Sequence, residues 1–173
     1  MRLTVKKTIL WIVAVVITAF AGGCTKHESY PVEPHIDFYS FTKIPNNYKV
    51  DDKGILNISF TDGDGDIGFD QGDTLPPYNY GSPYYYNCYI DYFEKRNGKF
   101  EKIDLQITNN ARIPKVNADL PQRGIRGNIE VELFINNVLS PYDTIKFSVY
   151  IIDRALHKSN TIETPEIVID KTP

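Results

Sequence analysis

Five aspartates fall within twelve residues, in the order Asp62-Gly63-Asp64-Gly65-Asp66-Ile67-Gly68-Phe69-Asp70-Gln71-Gly72-Asp73. Carboxylates at alternate positions, separated by glycines that let the backbone bend sharply, can be turned inward around one hard cation. Left without compensation, the charges of Asp62, Asp64 and Asp66 would repel one another, and a bound cation is the simplest way to hold them close at neutral pH. Calcium fits this donor set, because it takes about 6–8 oxygen ligands and needs no softer atom. Asp62, Asp64, Asp66, Asp70 and Asp73 are therefore the candidate metal ligands. The alternative is a solvated turn, since Asp and Gly both favour turns without any metal.

The opening Asp-x-Asp-x-Asp is similar to that of an EF-hand or dockerin loop, but the rest departs from it. Ile67 stands where the sharp turn requires Gly, and Asp73 stands where a bidentate Glu is required. No helical pattern flanks the segment. It reads instead as a cluster at the point where a strand runs into a loop. Asp153, at the end of another strand pattern, could approach the same loop.

Tyrosine is the second concentration of chemistry. Tyr78, Tyr80, Tyr84, Tyr85, Tyr86, Tyr89 and Tyr92 lie close together. Period-two alternation puts Tyr84, Tyr86, Cys88, Ile90 and Tyr92 on one face, read as the core face. Tyr85, Asn87, Tyr89, Asp91 and Phe93 fall on the other. Tyr85 and Tyr89, exposed beside polar neighbours, would suit a sugar ring or a protein partner. The alternative is that these tyrosines are strand formers packed across neighbouring strands. Catalytic signatures find no support. His27, His35 and His157 lack zinc-site spacing, and there is no G-x-S-x-G elbow and no phosphate-binding glycine loop. The chain is expected not to be an enzyme.

The elements that must carry these residues alternate with period two. Leu56, Ile58 and Phe60 form one such set. Tyr84 to Phe93 form a strand that ends before Asn97-Gly98, a strong hairpin signal. The return strand carries Phe100, Ile103, Leu105 and Ile107. Ile129, Val131, Leu133 and Ile135 form another face, as do Ile145, Phe147, Val149 and Ile151. Ile167 and Ile169 close the set after Pro165, which suits an edge strand or a bulge. No helical apolar spacing persists after the N-terminal run. About seven strands separated by turn signals predict an all-β, antiparallel sandwich. The stretch from Asp62 to Pro83 shows little secondary structure. Loops of this length are usually either functional or disordered, and the run Pro76-Pro77-Tyr78-Asn79-Tyr80-Gly81-Ser82-Pro83 favours an ordered surface loop that a metal could staple.

The N-terminus has a different logic. Arg2, Lys6 and Lys7 precede an uncharged run to Phe20, and Ala21-Gly22-Gly23-Cys24 follows. The run is short for a membrane span of about 20 residues and matches a secretory signal with a small-residue cleavage site, the alternative being an uncleaved membrane anchor with an incidental Cys24. The box resembles that of bacterial lipoproteins, with Ala21 where Leu is usual. The resemblance implies cleavage after residue 23 and lipid attachment at Cys24. The expected organisation is a signal peptide over 1–23, a lipidated polar tether over 24–34 and a sandwich domain over 35–173. The chain carries a net charge of −3, and loses three basic residues with the signal. An acidic domain of this kind is a poor non-specific binder of nucleic acid. With Cys24 used for lipid, Cys88 has no disulfide partner and is expected as a buried, inert thiol.

Two further resemblances apply. Val149 to Asn160, in which a strand runs into Asp153-Arg154-Ala155 and then Ser159-Asn160, resembles the closing hairpin of bacterial immunoglobulin-like and fibronectin-like domains. Family members often have Gly-Asn in the turn where this chain has Leu156-His157. Phe60 to Gly68, F-T-D-G-D-G-D-I-G, resembles a segment found in small lipoproteins of Bacteroidota. That likeness implies an outer-membrane, lipid-anchored address and a sandwich fold. The expected role is a non-catalytic binding or assembly module in the cell envelope, contacting a glycan, a peptide or a membrane complex. The alternatives are a calcium-stabilised structural domain without a dedicated ligand and, with least support, an unrecognised hydrolase.

Overall fold

Alternating burial along each strand builds the molecule. In the computed structural model, which describes residues 29–115 and 124–171, the strands are β1 (His35–Pro45), β2 (Asp51–Asp62), β3 (Cys88–Arg96), β4 (Lys99–Ile103), β5 (Ile125–Phe134), β6 (Thr144–Ile151), β7 (Ile162–Glu163) and β8 (Ile167–Val168). One sheet has the order β1-β2-β5. The other has the order β4-β3-β6-β7, with β8 also paired to β6. All these pairings are antiparallel. The result is an all-β sandwich, with the crossing connections of an immunoglobulin-like domain. There is no helix among the described residues, and hence none long and apolar enough to cross a membrane.

The core is the sum of the inward faces. Ile36, Leu56, Ile58, Phe60, Ile129, Val131 and Leu133 come from the first sheet. They meet Cys88, Ile90, Tyr92, Ile145, Phe147, Val149 and Ile151 from the second. Phe147 ties the layers together, stacking on Phe41 at 5.9 Å and meeting the edge of Tyr92 at 5.7 Å. Cys88 lies in this core as a free thiol, and burial pushes its pKa up to about 12. At neutral pH it carries no thiolate to react.

Asn97 and Gly98 both have positive φ, 50° and 80°, as a two-residue hairpin with right-handed twist requires. Two strand expectations need correction. The strand read from Tyr84 starts only at Cys88. A turn through Ser82 takes up Tyr84 and Tyr85, with Ser82 Oγ accepting from Tyr84 N–H at 3.1 Å and the Ser82 carbonyl from Tyr85 N–H at 3.2 Å. The return strand ends at Ile103, and Ile107 is solvent-exposed. The closing strand is split in two around Pro165. The Thr164 hydroxyl there accepts from the Phe147 N–H at 3.0 Å, so the broken ladder leaves no orphaned donor at that point. The residues expected to carry the signal and the lipidated Cys24 lie outside the described residues.

Candidate metal centre

β2 delivers Asp62 to one end of the sandwich, and β6 delivers Asp153 to the same end two residues past Ile151. Between β2 and β3 the chain must turn back, and Gly65 and Gly68 supply the positive φ, 74° and 95°, for that reversal. Asp62 Oδ2 accepts from the Asp66 N–H at 2.9 Å, which curls the loop over the end of β2. The Asp66 carbonyl accepts from the Arg154 N–H at 3.2 Å, which ties the loop to the turn after β6. One carboxylate oxygen from each of Asp62, Asp64, Asp66 and Asp153 then lies within 4.8 Å of the others.

Asp62 and Asp153 are fully buried. Oδ1 of Asp62, Oδ1 of Asp64 and Oδ1 of Asp66 are each buried with no hydrogen-bond partner. Buried acceptors are almost always satisfied, so three in one cluster mark a place where a positive charge or donor belongs. The electrostatics agree. Burial, reinforced by the neighbouring Asp64 charge, raises the Asp62 pKa to about 7. Burial followed by repulsion from Asp153 and Asp64 raises Asp66 as well. Burial also raises Asp153, although hydrogen bonds from His157 oppose it. His157 donates its N–H to Asp153 Oδ1 at 2.7 Å and sets Nδ1 2.9 Å from Oδ2. The set is all oxygen and multiply anionic, and could hold a hard metal ion.

The structure gathers three of the five aspartates proposed from sequence and separates the other two. Ile67 and Phe69 are buried, so the chain dives into the core between Asp66 and Asp70. A bridge from Phe69 to Pro114 holds it there. Asp70 and Asp73 emerge elsewhere and are neutralised by basic side chains rather than by a shared ion. Arg154 grips both oxygens of Asp73, with Nη2 2.8 Å from Oδ1 and Nη1 closing on Oδ2. Lys115 Nζ stands 3.4 Å from Asp70. Arg154 holds the Asp73 carboxyl below the usual carboxylate range. Asp153 takes the place these two were expected to fill. Its signal in the sequence was a carboxylate directly following a strand. Its partner His157 left no signal, because the turn that brings it back depends on Leu156 adopting a φ of 72°.

The alternation reading holds from Cys88 on, with Cys88, Ile90 and Tyr92 inward and Tyr89, Asp91 and Phe93 on the outer face, and it fails over Tyr84 to Asn87. Arg112 places its guanidinium 5.0 Å from the rings of both Phe69 and Tyr85. Tyr80 and Tyr86 meet Tyr85 edge-on, at 5.1 and 4.9 Å. Tyr89 stacks on Tyr150 at 4.8 Å and donates its hydroxyl to the Pro83 carbonyl. Asn87, expected beside them at the surface, is buried. It accepts from Ile113 N–H at 2.6 Å and donates to Ile113 O at 3.0 Å. The long loop is therefore held by Arg112, Arg154, Asn87 and Tyr78, whose hydroxyl donates to the Arg154 carbonyl at 2.5 Å.

Fold and site together define an all-β sandwich with a carboxylate cluster competent for a metal ion at one pole. The chain matches no protein-family model, no curated protein and no solved structure.

Proposed function

We propose that this protein is a non-catalytic sandwich module of the cell envelope, lipid-anchored through Cys24, whose long loop is fixed by a bound calcium ion at Asp62, Asp64, Asp66 and Asp153. The observation that supports the calcium reading is the set of buried, unpartnered oxygens on three converging aspartates. Calcium is favoured over zinc or copper because no thiolate or imidazole belongs to the four-residue set, and over magnesium because a flexible glycine-rich loop need not meet strict octahedral geometry. The test is calorimetry on the full chain with Ca²⁺ and with Mg²⁺, alongside thermal melting. Changing Asp62, Asp64 and Asp66 to Asn should lower the melting temperature in calcium and should not lower it in chelator. Equal stability of variant and parent in calcium would exclude a structural ion.

A partner-binding role is supported by the opposite pole. Ile107, Phe134, Val138 and Leu139 stand exposed there around one apolar depression. Scattered surface hydrophobics need no explanation, but a contiguous group fits a protein contact. Leu139→Asp should weaken cross-linking to an envelope partner without changing the melting temperature.

A further inference from the structure

The segment read from sequence as the end of a free polar tether does not stand away from the domain. Tyr30 and Pro31 lie directly on the aspartate loop. A Cβ built on Gly63, between Asp62 and Asp64, would overlap the Tyr30 carbonyl oxygen and stand 2.5 Å from that of Pro31. The Tyr30 ring covers Gly124, immediately before β5, where a Cβ would meet it at 2.9 Å. Pro34 is buried immediately before β1. Backbone-to-backbone contact this close requires glycine at 63, and it requires the loop to keep its curled form.

Hydrogen bonds from the Asp66 N–H to Asp62 and from the Arg154 N–H to the Asp66 carbonyl hold that form against the crowding of its carboxylates. Asp62 Oδ1, in a fully buried side chain, has no partner of its own. Four acids of like charge converge on that point from two loops. Without a cation their repulsion acts to open the curl between Asp62 and Asp66, and Gly63 lies inside that curl. The surface that receives Tyr30 and Pro31 and the loop that receives the ion are thus one and the same.

We infer that the cation site is also a clasp for the N-terminal segment: ion binding at the four aspartates docks residues 30–34 onto Gly63, and loss of the ion releases them. This rests on the calcium reading above and extends it from stability of the loop to control of the tether. Tyr30 follows Cys24 by six residues, so the clasp would set how freely the domain swings about a lipid at Cys24. Coupling of two binding events is reciprocal, so the docked segment must also tighten the ion.

The test is the NMR cross-peak between the Tyr30 ring and the Gly124 α-protons of the full chain, in Ca²⁺ and in chelator, run beside calcium calorimetry. The cross-peak should be stronger in calcium by about fivefold or more, the lower bound of ordinary coupling. Gly63→Ala should abolish that gain and weaken Ca²⁺ binding by a similar factor. Calcium binding by calorimetry with an identical Tyr30–Gly124 cross-peak in both buffers would overturn the clasp and leave the metal site standing. Absence of calcium binding would overturn both. If Gly63→Ala fails to fold, the comparison of the parent in the two buffers still decides.

Discussion

Two fully buried carboxylates sit at opposite poles of this sandwich, and they are treated in opposite ways. Glu94, near the end of β3, accepts from Ser140 Oγ at 2.7 Å, Asn137 Nδ2 at 3.0 Å and Arg96 Nη2 at 2.7 Å. Burial pushes its pKa upward, but these donors together outweigh it and leave the acid below its usual range. Lys171 completes that pole by donating to the carbonyls of Asn137, Ser140 and Tyr142 at 2.8, 2.6 and 3.0 Å. Asp62, at the end of β2, has one backbone donor and three acidic neighbours, and its pKa rises to about 7. A buried acid whose charge the protein itself satisfies is a structural fastener. One surrounded by further acids finds too little counter-charge within the chain. The difference lies in the neighbours, not in the burial, which is complete in both cases.

The largest test of this contrast is Glu94→Ala. It leaves the Asn137 amide and the Ser140 hydroxyl without their buried acceptor, and an unsatisfied buried polar group costs about 1–3 kcal/mol each. Chemical denaturation should show that loss equally in calcium and in chelator. Asp62→Asn should behave in the opposite sense. In chelator it removes a buried like charge and should leave stability equal or higher. In calcium it should cost a few kcal/mol through the lost ion. Equal responses of the two variants to chelator would erase the distinction between the poles.

The pH dependence sharpens it further. Asp62 ionises near 4 when unfolded and near 7 when folded without an ion. Between those values the folded state binds more protons than the unfolded state, so stability in chelator should fall as pH rises from about 4 to 7. Asp66 and Asp153, also raised, act in the same direction. His157, raised by its hydrogen bond to Asp153, likewise contributes stability below its unfolded value that is lost at higher pH. With saturating Ca²⁺ the ionised carboxylates are the ones that bind, and the decline should flatten or reverse. Melting curves at pH 5 and pH 8, with and without calcium, measure this. The smallest expected effect is Leu156→Gly. A left-handed leucine costs about 1–2 kcal/mol, but Leu156 is half-buried and glycine frees the unfolded chain, so stability should change by less than about 1 kcal/mol, equally in both buffers.

Much of the fold was legible because its strands have one wet face and one dry face. Ile129, Val131 and Leu133 announce β5 by alternation alone, and Asn97-Gly98 announces the hairpin by its backbone demand. The aspartate cluster was legible as far as Asp66, where local spacing governs. It failed at Asp70 and Asp73, whose fate is set by Arg154, 81 positions away from Asp73 in the chain. Pairings across that distance leave no periodic trace. The tyrosine run misled for a related reason. Its strand-like composition over Tyr84 to Asn87 was overridden by the turn at Ser82 and by Asn87 bonding Ile113 in the interior.

The interruption at Pro165 has a consequence of its own. An unbroken outer strand offers a row of free amides to the next molecule it meets. Here the last edge consists of two dipeptide strands, and its Glu163 and Glu166 pair with Lys146 and Lys95. A neighbouring molecule finds no continuous template along that edge, so any edge-to-edge pairing of this fold is confined to the unbroken outer strands β1, β4 and β5.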